Sequence, residues 1–390
     1  MSVLIDVPVG PQHPALKEPL HFLFQVDGEY VVDVRPRLGY NHRGIEKLAE
    51  SKTYLQNALL TARICGICQY AHSTCYTQTA EKLLGVEAPP RAQYLRLVLA
   101  ELERIHSHLL WLGVMAHEIG FDTMFMYCWR DRETVLDLFE LTTGNRVQHA
   151  MNTIGGVRRD FTPSMVETVK KAITKLRKRL KYYEQLVQKE RTIRVRTENI
   201  GFLSPRDVVD LCAVGPVARA SGVKRDVRLD DPYLVYDEVD FHIVVDDGCD
   251  VLARTLVRCR EMVESADMIL NALERLPDGP VRVKAPTRAG KEEVIGRVEA
   301  PRGELFYYIR GNGTNKPERL KVRTPTIANI LSLCKMLKGC YIADIPPIIA
   351  CIDPCIACME RLTFIDPKGR RWSLSHEELR RYGLKWYGLK

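Results

Sequence analysis

Two periodicities divide the chain. At its start apolar and polar residues alternate, as in half-buried strands. Residues 3–7 read as a short strand, and 21–26 and 29–35 as the arms of a hairpin joined by Asp27-Gly28. That dipeptide accepts the positive φ of a tight turn. Helix begins near residues 39–48 and runs toward Cys65. Leu95, Leu99, Leu102, Ile105, Leu109, Leu112 and Met115 then recur near helical spacing, which predicts a long helix over 92–119 behind Pro89-Pro90. Further helices are predicted over 124–141, 165–190, 206–213, 251–276 and 326–337. The pattern returns to short strands at 281–284, 294–298 and 305–310. The fold class is α+β: mainly an α-helical core bundle with a small N-terminal β-sheet and peripheral short strands. The expected organisation is a β-rich region over 1–45, a helical core over 46–361 with its short β segments near 281–310, and a C-terminal tail over 362–390.

Composition narrows the class. Of 390 residues, 46% are apolar and 27% charged, as in a soluble globular protein. No apolar run approaches the ~20 residues that span a bilayer, and the N-terminus carries no signal segment. The chain is therefore expected on the cytoplasmic side, with any membrane contact made through partner subunits. The net charge of +8 is spread along the chain without interleaved aromatic residues, so nucleic acid is not an expected partner.

Twelve cysteines change the picture. Four form two Cys-x-x-Cys pairs, Cys65/Cys68 and Cys355/Cys358, with residues 69–354 between them. Two intervening residues let both sulfurs of a pair reach one metal, and thiolates select soft metals. A closed zinc clamp, an iron–sulfur cluster and a redox metal with an open position all remain compatible with four thiolates. Cys75, Cys128, Cys212, Cys249, Cys259, Cys334, Cys340 and Cys351 read as small buried apolar residues. His72, one helical turn past Cys68, stands where an imidazole reaches a cysteine sulfur. Glu46 falls in the first turn of a helix, where a carboxylate suits the helix dipole. Arg302 is a positive charge between Pro301 and Gly303.

The motifs carry a resemblance. Arg63-Ile64-Cys65-Gly66-Ile67-Cys68 with His72, and Asp353-Pro354-Cys355-Ile356-Ala357-Cys358, resemble the paired signature of nickel–iron hydrogenase large subunits. Arg43-Gly44-Ile45-Glu46 and Ala300-Pro301-Arg302-Gly303-Glu304 resemble two further elements of that family. Gly10-Pro11-Gln12-His13-Pro14 and His42-Arg43-Gly44 are similar to the quinone-site 49 kDa subunit of respiratory complex I. The mixture is that of the energy-converting, membrane-bound (group 4) hydrogenases.

The resemblance implies roles. Cys65, Cys68, Cys355 and Cys358 would hold nickel, with Cys68 and Cys358 also reaching an iron that carries cyanide and carbon monoxide. Magnesium is an optional further ion, and no iron–sulfur cluster of the chain's own is expected. Glu46 would carry protons from Cys355, Arg302 would lie over the open metal position with Asp353 beside the cofactor, and His72 would bond the Cys68 sulfur. The implied partners are a small iron–sulfur hydrogenase subunit, membrane-anchored ion-translocating subunits, ferredoxin indirectly, and a maturation protease acting after Arg361 if the tail is removed. The implied reaction reduces protons to H2, or oxidises H2, and is coupled to ion translocation. The alternative is a metal-free complex I-like redox subunit for quinone or sulfur reduction.

Overall fold

The computed structural model describes residues 4–358, 364–365, 369, 371–372 and 376–388. The expected cleavage position Arg361 and parts of the tail lie outside them.

The N-terminal alternation folds as expected into an antiparallel sheet, β1 (Leu4–Val9), β2 (His21–Asp27) and β3 (Tyr30–Arg37), in the order β1-β2-β3. The predicted helix from residue 39 toward Cys65 is instead two. α1 (Ile45–Ala49) is a single turn and α2 (Tyr54–Ala62) starts afresh. A capping box restarts the chain: the Thr53 hydroxyl accepts from Gln56 N, and the Gln56 side chain accepts from Thr53 N. α3 (Gln69–Leu84) follows the first cysteine pair and ends at Gly85, in the left-handed region with φ 62°.

The long helix α4 (Pro90–Glu118) begins with Pro90 in its first turn and forms the axis of the molecule. α5 (Asp122–Thr143) packs along it, a tiny hairpin of β4 (Asn152–Thr153) and β5 (Gly156–Val157) follows, and α6 (Pro163–Lys189) runs outside. The short helices α7 (Arg191–Thr197), α8 (Pro205–Asp210), α9 (Pro216–Arg219) and α10 (Val227–Asp230) lead to α11 (Val251–Glu274), which packs between α4 and α6. The main apolar core fills the space between these helices.

The chain then forms a second antiparallel sheet, β6 (Glu293–Ala300), β7 (Gly303–Arg310) and β8 (Arg319–Arg323), packed on α3. The expected strand at 281–284 is only a bridge: Arg282 pairs with Gly156. Its partner, the two-residue strand β5, is too short to extend the pairing. α12 (Pro325–Leu337) and α13 (Ile345–Cys351) precede the second cysteine pair. Beyond it lie β9 (Phe364–Ile365), β10 (Arg371–Trp372) and α14 (His376–Trp386). Of the eight cysteines expected to be buried, Cys212 is exposed, in a turn after α8 with φ 53°. Cys334 and Cys340 are half-buried.

One crossing governs how this scaffold presents its loops. Gly215 has φ 69°, and a Cβ there would stand 2.4 Å from Gly303 Cα and 2.5 Å from Arg302 O. Backbone meets backbone, with no flexible side chain to give way. Gly215→Ala is expected to destabilise the chain by about 1–3 kcal/mol, read as a lower urea midpoint with unchanged cooperativity.

Candidate metal centre

The two Cys-x-x-Cys pairs meet. Cys65 Sγ lies 3.1 Å from Cys355 Sγ, and Cys355 Sγ lies 2.8 Å from Cys358 Sγ. These three buried sulfurs lie within 4.8 Å of one another. The Sγ of Cys68 sits beside them and takes a hydrogen bond from Arg302 Nη1 at 2.6 Å. Metal–thiolate bonds of ~2.3 Å separate sulfurs around one metal by roughly 3–4 Å, so small side-chain rotations admit a soft ion. The donor set, buried and all sulfur, fits nickel or another soft metal. Its smaller apolar core is formed by α3, β6 and β7.

Backbone contacts hold the two loops together. Arg43 donates from Nη1 to Arg63 O (2.9 Å) and from Nη2 to Ile64 O (2.7 Å) and Ala357 O (3.3 Å), so one guanidinium joins both cysteine loops. Glu18 accepts from Ala357 N at 2.7 Å. Thr326 Oγ1 accepts from Cys355 N (3.2 Å), and Thr324 Oγ1 donates to Cys358 O (3.1 Å). Cys65 Sγ also accepts from the backbone N–H of Cys68 at 3.0 Å.

Arg302 lies in the two-residue turn between β6 and β7, where Ala300 pairs with Gly303. It is only 2% exposed. Besides Cys68 it bonds Asp353 twice, Nε to the carbonyl at 2.6 Å and Nη2 to Oδ1 at 2.7 Å, and Nη1 also reaches Ser107 Oγ at 3.2 Å. Asp353 has φ 53°, a left-handed conformation that aspartate tolerates better than most residues. The turn is anchored from below by α4: Arg104 donates to Glu299 O (2.7 Å) and Ala300 O (3.3 Å). Arg104 belongs to a buried ion network with Glu101, Arg228, Asp226, Arg219, Glu261 and Glu299. Every charge in it has a partner, as burial demands.

The electrostatics follow. Hydrogen bonds from Cys355, Cys358 and Cys68 hold the Cys65 thiol well below its ordinary pKa, against burial. The other three thiols are pushed up: Cys68 first by its bond to the Cys65 sulfur and then by burial, Cys358 first by burial. Cys355 is raised by its bond to Cys65 and by burial, which together outweigh the larger opposing bond from Cys358. Burial pulls His72 down to about 4, so the ring is neutral near pH 7. Its Nδ1 meets the Tyr307 hydroxyl at 2.8 Å, and its Nε2 lies 3.7 Å from Cys358 Sγ. The imidazole thus faces Cys358 rather than Cys68, because the sulfur of Cys68 is turned to Arg302.

Glu46 accepts from Val322 N (2.9 Å) and from Lys321 Nζ (3.0 Å). It lines a polar cavity of about 400 Å³ with His42, Arg43 and Cys358. The sulfur on that cavity is Cys358, whereas the resemblance pairs Glu46 with Cys355. His13 is exposed and bonds the backbone of Ala15 in its own loop. Cys351 lies 3.9 Å from Arg254 Nη1 and is not one of the three clustered sulfurs.

Tyr307, Ser107 and Glu103 are not among the residues the motifs single out. Tyr307 is legible as an inward position of an alternating strand. Glu103 sits in an apolar helix, where an acid must find donors. It accepts from the backbone N–H groups of Tyr70 and Ala71 at the start of α3. Burial still pushes it up to about 8. An unfolded glutamate titrates near ~4.3, so between the two values the folded chain holds a proton the unfolded chain has lost. Stability from this group is therefore lost as pH rises through that window. Glu103→Gln is expected to flatten the fall in urea midpoint between about pH 5 and pH 8 in the metal-free chain.

Comparison with known proteins agrees with this geometry. The profile for nickel-dependent hydrogenases matches residues 43–116. That for the 49 Kd subunit of respiratory-chain NADH dehydrogenase matches 118–291 and 287–361. The chain is 42% identical to the carbon monoxide-induced hydrogenase of Rhodospirillum rubrum, over 91% of this chain and 99% of that one. It is 37% identical to the alpha subunit of the membrane-bound hydrogenase of Pyrococcus furiosus, over 98% and 93%. It is 38% identical to an NADH-quinone oxidoreductase subunit of Sinorhizobium medicae, over 92% and 96%. Its fold matches a chain of the archaeal membrane-bound sulfane sulfur reductase with a TM-score of 0.88 and 32% identity, over 92% of this chain and 98% of that one. A buried sulfur cluster between motifs from both ends of the chain, on a scaffold shared with complex I, identifies the chain as a member of the family of nickel–iron hydrogenase large subunits and complex I 49 kDa subunits, on its membrane-bound hydrogenase side.

Proposed function

We propose that this chain is the catalytic large subunit of an energy-converting, membrane-associated nickel–iron hydrogenase that interconverts protons and H2. The observation that carries the reading is the cluster of Cys65, Cys355 and Cys358, with Cys68 beside it under Arg302. A scaffold serving quinone or sulfur alone has no physical need for four converging thiols. Cys65, Cys68, Cys355 and Cys358 would hold the centre. A nickel–iron centre bound there, its iron carrying cyanide and carbon monoxide, supplies the uneven splitting of H2 and the exchange of electrons.

The chain's own residues do the rest. Arg302 stays charged at any working pH, so it presents a fixed positive charge to small ligands above the sulfurs. Asp353 and Ser107 stop that guanidinium from swinging. His72 is held by Tyr307 and tunes the sulfur of Cys358. Glu46 moves protons between the sulfur cluster and the polar cavity beside Cys358, its carboxylate held by Lys321 Nζ at 3.0 Å. Among the described residues no helix is long and apolar enough to cross a membrane. Association with a membrane on its cytoplasmic side therefore runs through ion-translocating partners. Electrons pass through an iron–sulfur subunit, with ferredoxin as the donor beyond it.

Two measurements test the assignment. In the purified complex, Cys355→Ser is expected to abolish nickel incorporation; full nickel occupancy by elemental analysis contradicts the ligand set. Glu46→Gln is expected to keep its nickel and lose H2-dependent dye reduction and H/D exchange by roughly 10²-fold or more. Unchanged exchange removes Glu46 from the proton path.

A further inference from the structure

Behind the Arg302–Asp353 pair the structure leaves charged atoms idle. Arg302 occupies Oδ1 and the carbonyl of Asp353, but Asp353 Oδ2 is buried and has no hydrogen-bond partner among the described residues. Arg258, on α11, is fully buried. It spends Nη1 on Arg254 O at 2.9 Å, while Nε and Nη2 find no partner among the described residues. No carboxylate makes direct contact with it among those residues. After the burial that pulls Arg258 down to about 10, the strongest influence on it is the charge of Asp353, which acts in the opposite direction.

Arg258 is held against Trp111. Its guanidinium lies over the Trp111 ring, 4.4 Å from the centroid. Trp111 in turn donates from Nε1 to Ala350 O at 2.7 Å, three residues before Asp353. Trp111, Asp353 and Arg302 also line a common cavity of about 70 Å³, large enough for water and otherwise mostly apolar.

Two guanidinium nitrogens and a carboxylate oxygen left without partners in a buried setting each carry a desolvation cost. Native proteins relieve such atoms with bound water that makes two to four hydrogen bonds. We propose that an ordered water links Arg258 to Asp353 Oδ2, making Arg258 the positioning residue that keeps Asp353 and, through it, Arg302 aligned over the sulfur cluster. The bridge works by restricting rotation. Asp353 supplies two of the four contacts that hold the Arg302 guanidinium. With Oδ2 tethered, the carboxylate cannot turn away, and Nη1 of Arg302 stays on Cys68 Sγ. Arg258 itself touches neither substrate nor metal ligand.

The inference rests on the hydrogenase reading of the cluster, and its test separates the two. The probe is the intact complex, wild type and with Arg258→Met or Arg258→Lys. Methionine keeps the apolar contact with Trp111 and removes every donor; lysine restores a charge and a donor. A high-resolution structure of the wild type is expected to show density for water within hydrogen-bond range of both Arg258 and Asp353 Oδ2. Arg258→Met is expected to keep wild-type nickel content and lower kcat for H2 roughly tenfold or more, with a smaller change in KM, and Arg258→Lys to recover part of that loss. A dry or directly bonded Arg258–Asp353 contact overturns the proposal, as does Arg258→Met turnover equal to wild type. If the methionine variant does not accumulate, the wild-type density decides alone. Absence of nickel and of H2-dependent dye reduction in the wild type defeats the hydrogenase reading instead, and leaves the water site to be judged by its density.

Discussion

Two guanidinium groups, that of Arg302 buried and that of Arg43 on an exposed side chain, hold opposite ends of this polypeptide in register. Arg43 binds carbonyls of both cysteine loops, and Arg302 joins the sulfur of Cys68 to the backbone and carboxylate of Asp353. A cysteine loop has little apolar surface with which to fix its own position. Planar, permanently charged donors give it direction as well as attraction. The thiols can then approach one another without a disulfide forcing them together.

That arrangement places heavy demands on what lies beneath it. The turn bearing Arg302 is clasped by Arg104 from α4 and crossed by the bare backbone of Gly215. The ion network around Arg104 is costly to bury and contributes little net stability. Its geometric effect is clearer: charged pairs cannot slide past one another as apolar side chains do, so the strand leading to Arg302 has one register. The same logic extends upward to Asp353, whose left-handed backbone turns its carbonyl onto Arg302.

The shared scaffold explains why hydrogenases and quinone-linked subunits both match this chain. The main apolar core of the α4, α5, α6 and α11 bundle is separate from the smaller core between α3 and the second sheet, where the sulfurs sit. Residues in that smaller core can change while the bundle stays. Fold similarity alone therefore says little about which reaction is run, and the donor set of the site carries the distinction.

Much of the architecture is legible in the linear pattern. The hairpin at Asp27-Gly28, the long helix after Pro89-Pro90 and the helices over α5, α6, α11 and α12 follow from local periodicity and caps. The pattern misleads where local signals compete: the capping box at Thr53 splits one expected helix, and the two-residue β5 leaves the 281–284 segment with too little to pair with. β8 is not among the expected strands, although Leu320 and Val322 alternate between charged residues. The sequence by itself determined the kind of donor on offer, because two Cys-x-x-Cys pairs present four thiolates of the sort that soft metals select. It could not determine which sulfur His72 faces, that Glu46 shares its cavity with Cys358, or that Arg302 joins Cys68 to Asp353. Those are relations between residues far apart in the chain, fixed by packing and by the need of each buried charge to find a partner. Only the tertiary structure decides them.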